Sequence, residues 1–259
     1  MSEQEAQALE GKITWASEHM PANDSPLLRV GRESLVRAEQ ANYVLWAWMY
    51  EPGMLVDSPR KRAGVFAMKQ ELIYNGFSKS IVVDLPAWGD AVTARTKEFQ
   101  TAEGLQADGV IGRTTARHLF QHRAAAAEAS VGIPDSLTCK QKSWESQNDP
   151  VCLGISQDEG IAQISPPNHP EISTAQMWDP AFAIPWMARS IKGSYIYVGG
   201  DWDGALAAYN VGASLAKKWV VAGKPATGGP QIGVKADGTA VFGWDVCSFY
   251  VAKVRGSLC

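Results

Sequence analysis

The chain has 259 residues, of which 46% are hydrophobic and 20% charged, with a formal net charge of −3. That is enough for one large or two modest folded units, and it lacks the basic excess of a nucleic-acid binder. Arg60-Lys61-Arg62 is the densest basic run and is short. No run of 18 apolar residues occurs, so no membrane-spanning helix and no stable membrane insertion are expected. The first residues, MSEQEAQALEGK, are acidic and polar and lack the basic and apolar regions of a secretory signal.

Residues 1–25 read as a polar N-terminal arm, either a short amphipathic helix or loose, broken by Pro21, Asn23, Asp24 and Pro26. Residues 32–50 predict a helix with an apolar face through Leu35, Val36, Ala38, Tyr43, Val44 and Ala47, ended at Pro52-Gly53. A second helix is predicted over 63–77, striped by Val65, Met68, Leu72 and Ile73. Ile81-Val82-Val83 reads as a short extended run. Asp90 opens a third helix, and Gly104 closes it as a left-handed stop.

Asp108-Gly109 and Gly112 mark tight turns. Thr114 is the expected N-cap of a fourth helix. The Ala124–Ala127 run favours helix over a floppy tether, so a helical junction ending near Gly132 and Pro134 is expected. Residues 135–147 predict a helix and 154–170 a loop-rich stretch. Residues 179–198 and 201–219 predict two more helices, Asp201 capping the one that carries Tyr209. Ala-Asp-Gly between two β-type runs in 228–244 predicts a hairpin, and a helix closes the chain over 245–255.

Four cysteines, Cys139, Cys152, Cys247 and Cys259, form no C-x-x-C. They admit three pairings; Cys139–Cys152 and Cys247–Cys259 are the first to test in an oxidising compartment. His118 and His122 stand four residues apart but lack the Glu of a zinc helix, and read as surface histidines. No metal or cofactor is implied. The ten tryptophans read mainly as core, with sugar stacking the alternative.

Two stretches resemble known families. Gly89, Val92, Phe99-Gln100, Gly104-Leu105, Asp108-Gly109, Gly112, Thr115 and Leu119 follow the pattern of the peptidoglycan-binding domain of cell-wall hydrolases. Glu145-Ser146, then Gly160-Ile161-Ala162-Gln163-Ile164, then Ala205 to Tyr209-Asn210-Val211-Gly212, then Tyr250-Val251 resemble, in order, the motifs of the soluble lytic transglycosylases, which are goose-lysozyme-like. Gln147 stands where that family has Gly, Asn148 where it has an apolar residue, and Ile161-Ala162 where it has Leu-Met.

The resemblance implies a mainly α (α+β) chain: an N-terminal small helical bundle and a C-terminal lysozyme-like domain with a small β-hairpin. The boundaries are a peptidoglycan-binding domain over 26–123, a helical linker over 124–132 and a catalytic domain over 133–259. It implies cleavage of the MurNAc–GlcNAc β-1,4 bond with Glu145 as the acid. Burial and a helix C-terminal end both favour a protonated carboxyl.

In the family one Glu acts first as acid, then as base on the sugar's C6 hydroxyl, leaving a 1,6-anhydro end. Ser146, Gly160, Ile161, Gln163, Tyr209 and Asn210 would line or support the sugar site, and Tyr250 would reach Glu145 through its hydroxyl. Asp149, Asp158, Glu159 and Asp179 are the candidate second carboxylates, and none matches a family catalytic position. The expected partner is the peptidoglycan glycan strand, met by a monomer.

The module order without an export signal resembles phage endolysins, held in the host cytoplasm until released to the cell wall. A hydrolytic muramidase using water held by Asp158 or Glu159, and a non-catalytic wall-binding or virion structural protein, are the alternatives.

Overall fold

The computed structural model describes residues 59–83, 85, 87–134, 136–154, 158–235 and 238–259. The arm expected at 1–25 and the helix expected at 32–50 lie outside the described residues. Elsewhere the protein is mainly α-helical with one small antiparallel sheet.

The N-terminal unit is built from α1 (Pro59–Tyr74), α2 (Asp90–Ala102) and the first half of α3 (Arg113–Val131). Val65, Met68 and Leu72 of α1 are buried with Val92 and Phe99 of α2, with Ile111, and with Ala116, Leu119 and Phe120 of α3. Gln100 is the polar centre of this unit. Its amide donates to Asp108 Oδ1 (2.8 Å) and the Val110 carbonyl (2.9 Å), and its carbonyl accepts from Gly109 N (2.8 Å). One buried side chain thus fixes the Asp108-Gly109 turn that leads into α3.

Ile81-Val82-Val83 forms no strand; the carbonyls of Val82 and Leu85 accept from the buried Lys69 ammonium at 3.0 and 2.5 Å. Helix α3 starts at Arg113 with Gly112 at its N-cap, two residues ahead of the cap expected at Thr114. It runs unbroken to Gly132, which sits at φ 69°. Ala124, Ala127 and Glu128 are buried, so the expected linker is a packed helix.

The C-terminal half is arranged around α7 (Trp202–Val211), whose Gly204, Ala205, Leu206, Ala207 and Ala208 are all buried. Against it pack α6 (Pro180–Tyr197), α8 (Ala213–Val221) and α9 (Gly243–Arg255). The small residues set the spacing: a Cβ on Gly204 would meet Val220 Cγ2 at 2.5 Å. The helix expected over 201–219 is two helices, because Gly212 turns the chain at φ 82°. Asp201 caps α7 by accepting from Gly204 N at 2.7 Å.

Helix α4 (Leu137–Ser146) packs against α3 and α9, and the short α5 (Thr174–Met177) leads into α6. The hairpin pairs β1 (Gln231–Val234) with β2 (Ala240–Phe242), Gln231 opposite Phe242 and Val234 opposite Ala240.

The disulfide is Cys139–Cys259, and Cys152 and Cys247 are buried thiols. This corrects the pairings expected first. Cys247 lies on the buried face of α9, and the helical stretch from it to Arg255 spans about 12 Å, which carries Cys259 away from it. Tail and α4 meet instead, and the bond staples the end of the chain to α4.

Polar groups hold α1 to α3 and to the C-terminal half. Arg123 of α3 donates through Nε to Glu71 Oε1 at 2.7 Å, and Glu71 is fully buried. Burial raises the Glu71 carboxyl to about 7 against the pull of Arg123. Arg60 of α1 donates through Nε to the Val151 carbonyl at 2.6 Å and lies 3.9 Å from Asp149.

Glu71 sets a pH dependence. Its folded-state pKa is raised, so its contribution is complete below the unfolded value of 4.5 and is lost as pH rises toward about 7. Urea unfolding should show stability falling by roughly 1–3 kcal/mol across that window. Glu71→Gln should lose this component of the slope; an unchanged slope would exclude Glu71 as its source.

Candidate functional site

Helix α4 carries Glu145 in its last turn, and neither end of the helix is capped in the ordinary way. Ser136, at the N-cap, makes no side-chain cap. The buried carboxylate of Glu128, from α3, accepts from Thr138 N (2.6 Å) and Cys139 N (3.1 Å) instead. A negative group at a helix N-terminus meets orphan N–H donors and the positive end of the dipole. Burial raises the Glu128 pKa and those two N–H bonds oppose it.

At the other end, Gln147 and Asn148 take positive φ values of 53° and 70°. The helix therefore ends at Ser146, one residue short of the span expected over 135–147. Asp149 is nearly buried, and its Oδ1 accepts from Val151 N at 3.0 Å.

Glu145 is partly buried. The Tyr250 hydroxyl of α9 donates to Glu145 Oε1, and Tyr250 Oη accepts from Gln141 Nε2 at 3.1 Å. Gln141 therefore fixes the direction of the chain: it fills the acceptor side of the phenol and leaves the phenolic hydrogen for Glu145. Tyr250 is 2% exposed and Gln141 fully buried, so the bond between them is shielded from water, while the Tyr250–Glu145 bond is partly buried. Gln141 was not singled out in the sequence. Its signal was there: it stands four residues before Glu145, on the same helix face.

The other motif residues divide into two groups. Ser146 and Ile161 are buried. The Ser146 hydroxyl lies 3.0 Å from the carbonyls of both Lys142 and Ile161, so it ties the helix end to the next loop. Gly160 sits at φ 75°, where a Cβ would lie 1.8 Å from the Met177 carbonyl oxygen. The close approach at Gly160 is thus to the protein's own backbone. Isolated bridges pair Glu159 with Leu153 and Ile164 and shape this loop.

Gln163, Tyr209 and Asn210 meet in a cleft of about 650 Å³, also walled by Asn168, His169 and Trp186. Tyr209 Oη donates to the Ala162 carbonyl at 2.5 Å, and Gln163 Nε2 to the Gly160 carbonyl at 2.9 Å. Trp186 makes edge contacts with His169 (4.9 Å) and Tyr209 (6.3 Å). Trp88 and Trp219 are core residues, whereas Trp186 has a face in the cleft.

Glu145 is not among the residues lining this cleft. The two places are linked through Ile161-Ala162, held on one side by Ser146 and on the other by Tyr209. They are linked again through α9, where Val246 lines the cleft and Tyr250 holds Glu145.

Two of the other candidate acids, Asp179 and Glu159, have side chains with partners in the scaffold. Asp179 caps α6 by accepting from Ala181 N at 2.9 Å. Asp158 is nearly buried, and burial raises the pKa of Glu159 against a hydrogen bond from Thr174. His118 pairs with Glu103 at 3.0 Å, with His122 at 3.9 Å from the same carboxylate. Among the described residues no group of three His, Cys, Asp or Glu is placed to hold a metal ion, and no helix is long and apolar enough to cross a membrane.

The Gly160 geometry gives a direct test. Gly160→Ala combines a left-handed φ with a backbone clash and should cost roughly 2–4 kcal/mol in urea unfolding. A loss below about 1 kcal/mol would mean that the loop does not pack on Met177 as described.

Compared with known families, residues 61–119 match a peptidoglycan binding domain. The match covers α1, α2 and the start of α3, including Gln100 and the turn it organises. No curated protein matches the chain. The match over residues 61–119 points to a role at the cell wall.

Proposed function

We propose that the protein is a peptidoglycan lytic transglycosylase that cleaves the MurNAc–GlcNAc β-1,4 bond, with Glu145 as its single acid and base. The observation that carries this reading is the hydrogen-bonded chain Gln141–Tyr250–Glu145 at the end of α4. It stands in a protein whose residues 61–119 match a peptidoglycan-binding domain.

The chemistry follows from these residues. Leaving-group departure needs a proton on the glycosidic oxygen. Tyr250 occupies Oε1, so the transferable proton belongs on Oε2. Once that proton has gone, the carboxylate accepts the proton of the sugar's C6 hydroxyl, whose oxygen attacks C1. The product is a 1,6-anhydro end and no water is consumed. Gln163, Tyr209, Asn210 and Trp186 offer amides, a phenol and a ring face to a sugar. A wall-bound module raises the effective concentration of glycan at the cleft.

A hydrolytic muramidase would need a second carboxylate to hold water. Of the candidates, Asp179 is engaged as the cap of α6, and none of the four matches a catalytic position of the resembled family, which favours the single-acid route. The module order supports a phage endolysin, acting from the host cytoplasm once released to the wall.

Glu145→Gln should abolish turbidity loss of permeabilised cells, and mass spectrometry of the wild-type digest should find anhydro ends about 18 Da lighter than reducing ends, one water's mass. Reducing ends would establish the hydrolase instead, and full activity of Glu145→Gln would exclude Glu145 as the acid. Tyr250→Phe removes one hydrogen bond to the carboxyl and should lower the initial rate about 10- to 100-fold. A wild-type rate would remove Tyr250 from the mechanism.

A further inference from the structure

Two consecutive non-glycine residues at positive φ follow α4: Gln147 and Asn148. A left-handed conformation costs an ordinary residue about 1–2 kcal/mol, and Asn bears it better than most. Such a pair persists only where its surroundings hold it.

Lys142 is what holds it. This lysine lies three residues before Glu145 on α4 and is fully buried. Its Nζ donates to Asn148 Oδ1 at 2.6 Å, and Ser143 Oγ lies 3.3 Å from the same oxygen. Buried lysines are rare because the ammonium loses its hydration. Burial lowers this one to about 7; Glu128 and Glu71 favour its charge and Arg117 opposes it. The bond closes a side-chain ring across the helix end, with Glu145 inside the spanned segment.

We propose that Lys142, acting through Asn148, is a positioning residue that sets the direction in which α4 presents Glu145 to Tyr250 and to substrate. This rests on the reading of Glu145 as the acid. It also gives Asn148, where the resembled family has an apolar residue, a partner and a purpose.

The test uses the full chain and purified peptidoglycan. Asn148→Gly keeps the left-handed turn and removes the acceptor; Lys142→Met removes the donor at similar length. Each should lower kcat about tenfold, leaving apparent KM and sedimentation with insoluble peptidoglycan unchanged. Asn148→Asp keeps an acceptor for Lys142 and should stay within about threefold of wild type.

A folded Asn148→Gly variant with a wild-type rate would overturn the proposal, as would an Asn148→Asp rate as low as that of Asn148→Gly. If Lys142→Met does not fold, the two Asn148 variants decide. Glu145→Gln separates the two levels. If it is inactive while Asn148→Gly is fully active, only the positioning role fails. If it is active, the acid assignment fails first.

Discussion

The fixed ends of α4 are the constraint on which the site depends. A ten-residue helix is too short to be stable alone, and this one is held by buried polar groups from outside its own sequence span. Glu128 satisfies its first N–H donors, and Ser146 ties its last turn to the Ile161 carbonyl. The Cys139–Cys259 bond fastens its first turn to the end of the chain. A carboxyl placed on such a helix has little freedom to move. That is what a hydrogen bond to one phenol on another helix requires, since a displacement of an ångström would break it.

The same groups explain why the wall-binding unit and the C-terminal half act as one structure. A bead-and-string arrangement would place an exposed spacer at residues 124–132. Here the end of α3 is buried, and its Glu128 caps the helix that carries Glu145. Arg60, at the start of α1, holds the Val151 carbonyl in the loop just past that helix. Substrate capture and the proposed chemistry are therefore connected by packing, with little dependence on linker length. Buried charges such as Glu71 and Lys142 cost solvation, and their gain lies in the fixed geometry they impose.

The parts legible in the sequence are those with local causes. Gly104 and Gly132 end helices because glycine reaches positive φ without strain. Asp201 caps α7 because its side chain meets an orphan N–H two to three residues on. The peptidoglycan-binding pattern was readable because Phe99-Gln100 and Asp108-Gly109 are close in sequence and Gln100 touches the turn directly.

What escaped was decided across long separations. Cys139 and Cys259 stand 120 residues apart. Gln141 acquires meaning only once α9 brings Tyr250 to it. The cap at Glu128 replaces what local rules assign to Ser136. Cysteine spacing favours near partners, but the stiff α9 carries Cys259 away from Cys247 and toward α4.

Backbone strain gives the arrangement its last element. Gln147, Asn148 and Gln163 are three of the six non-glycine residues at positive φ among those described, and all three lie in the segments between Glu145 and the cleft. Strain costs stability, so its concentration here needs a cause that acts locally. Each segment has one: Lys142 binds Asn148, and Gln163 folds its amide back onto the Gly160 carbonyl that opens its own turn. A relaxed helix exit would run on past Glu145 and place it within the helix instead of at its end. The left-handed exit ends the helix at once, leaving Glu145 on a terminal turn with Tyr250 as its fixed neighbour. The strained turns are thus the physical means by which one helix end becomes a site.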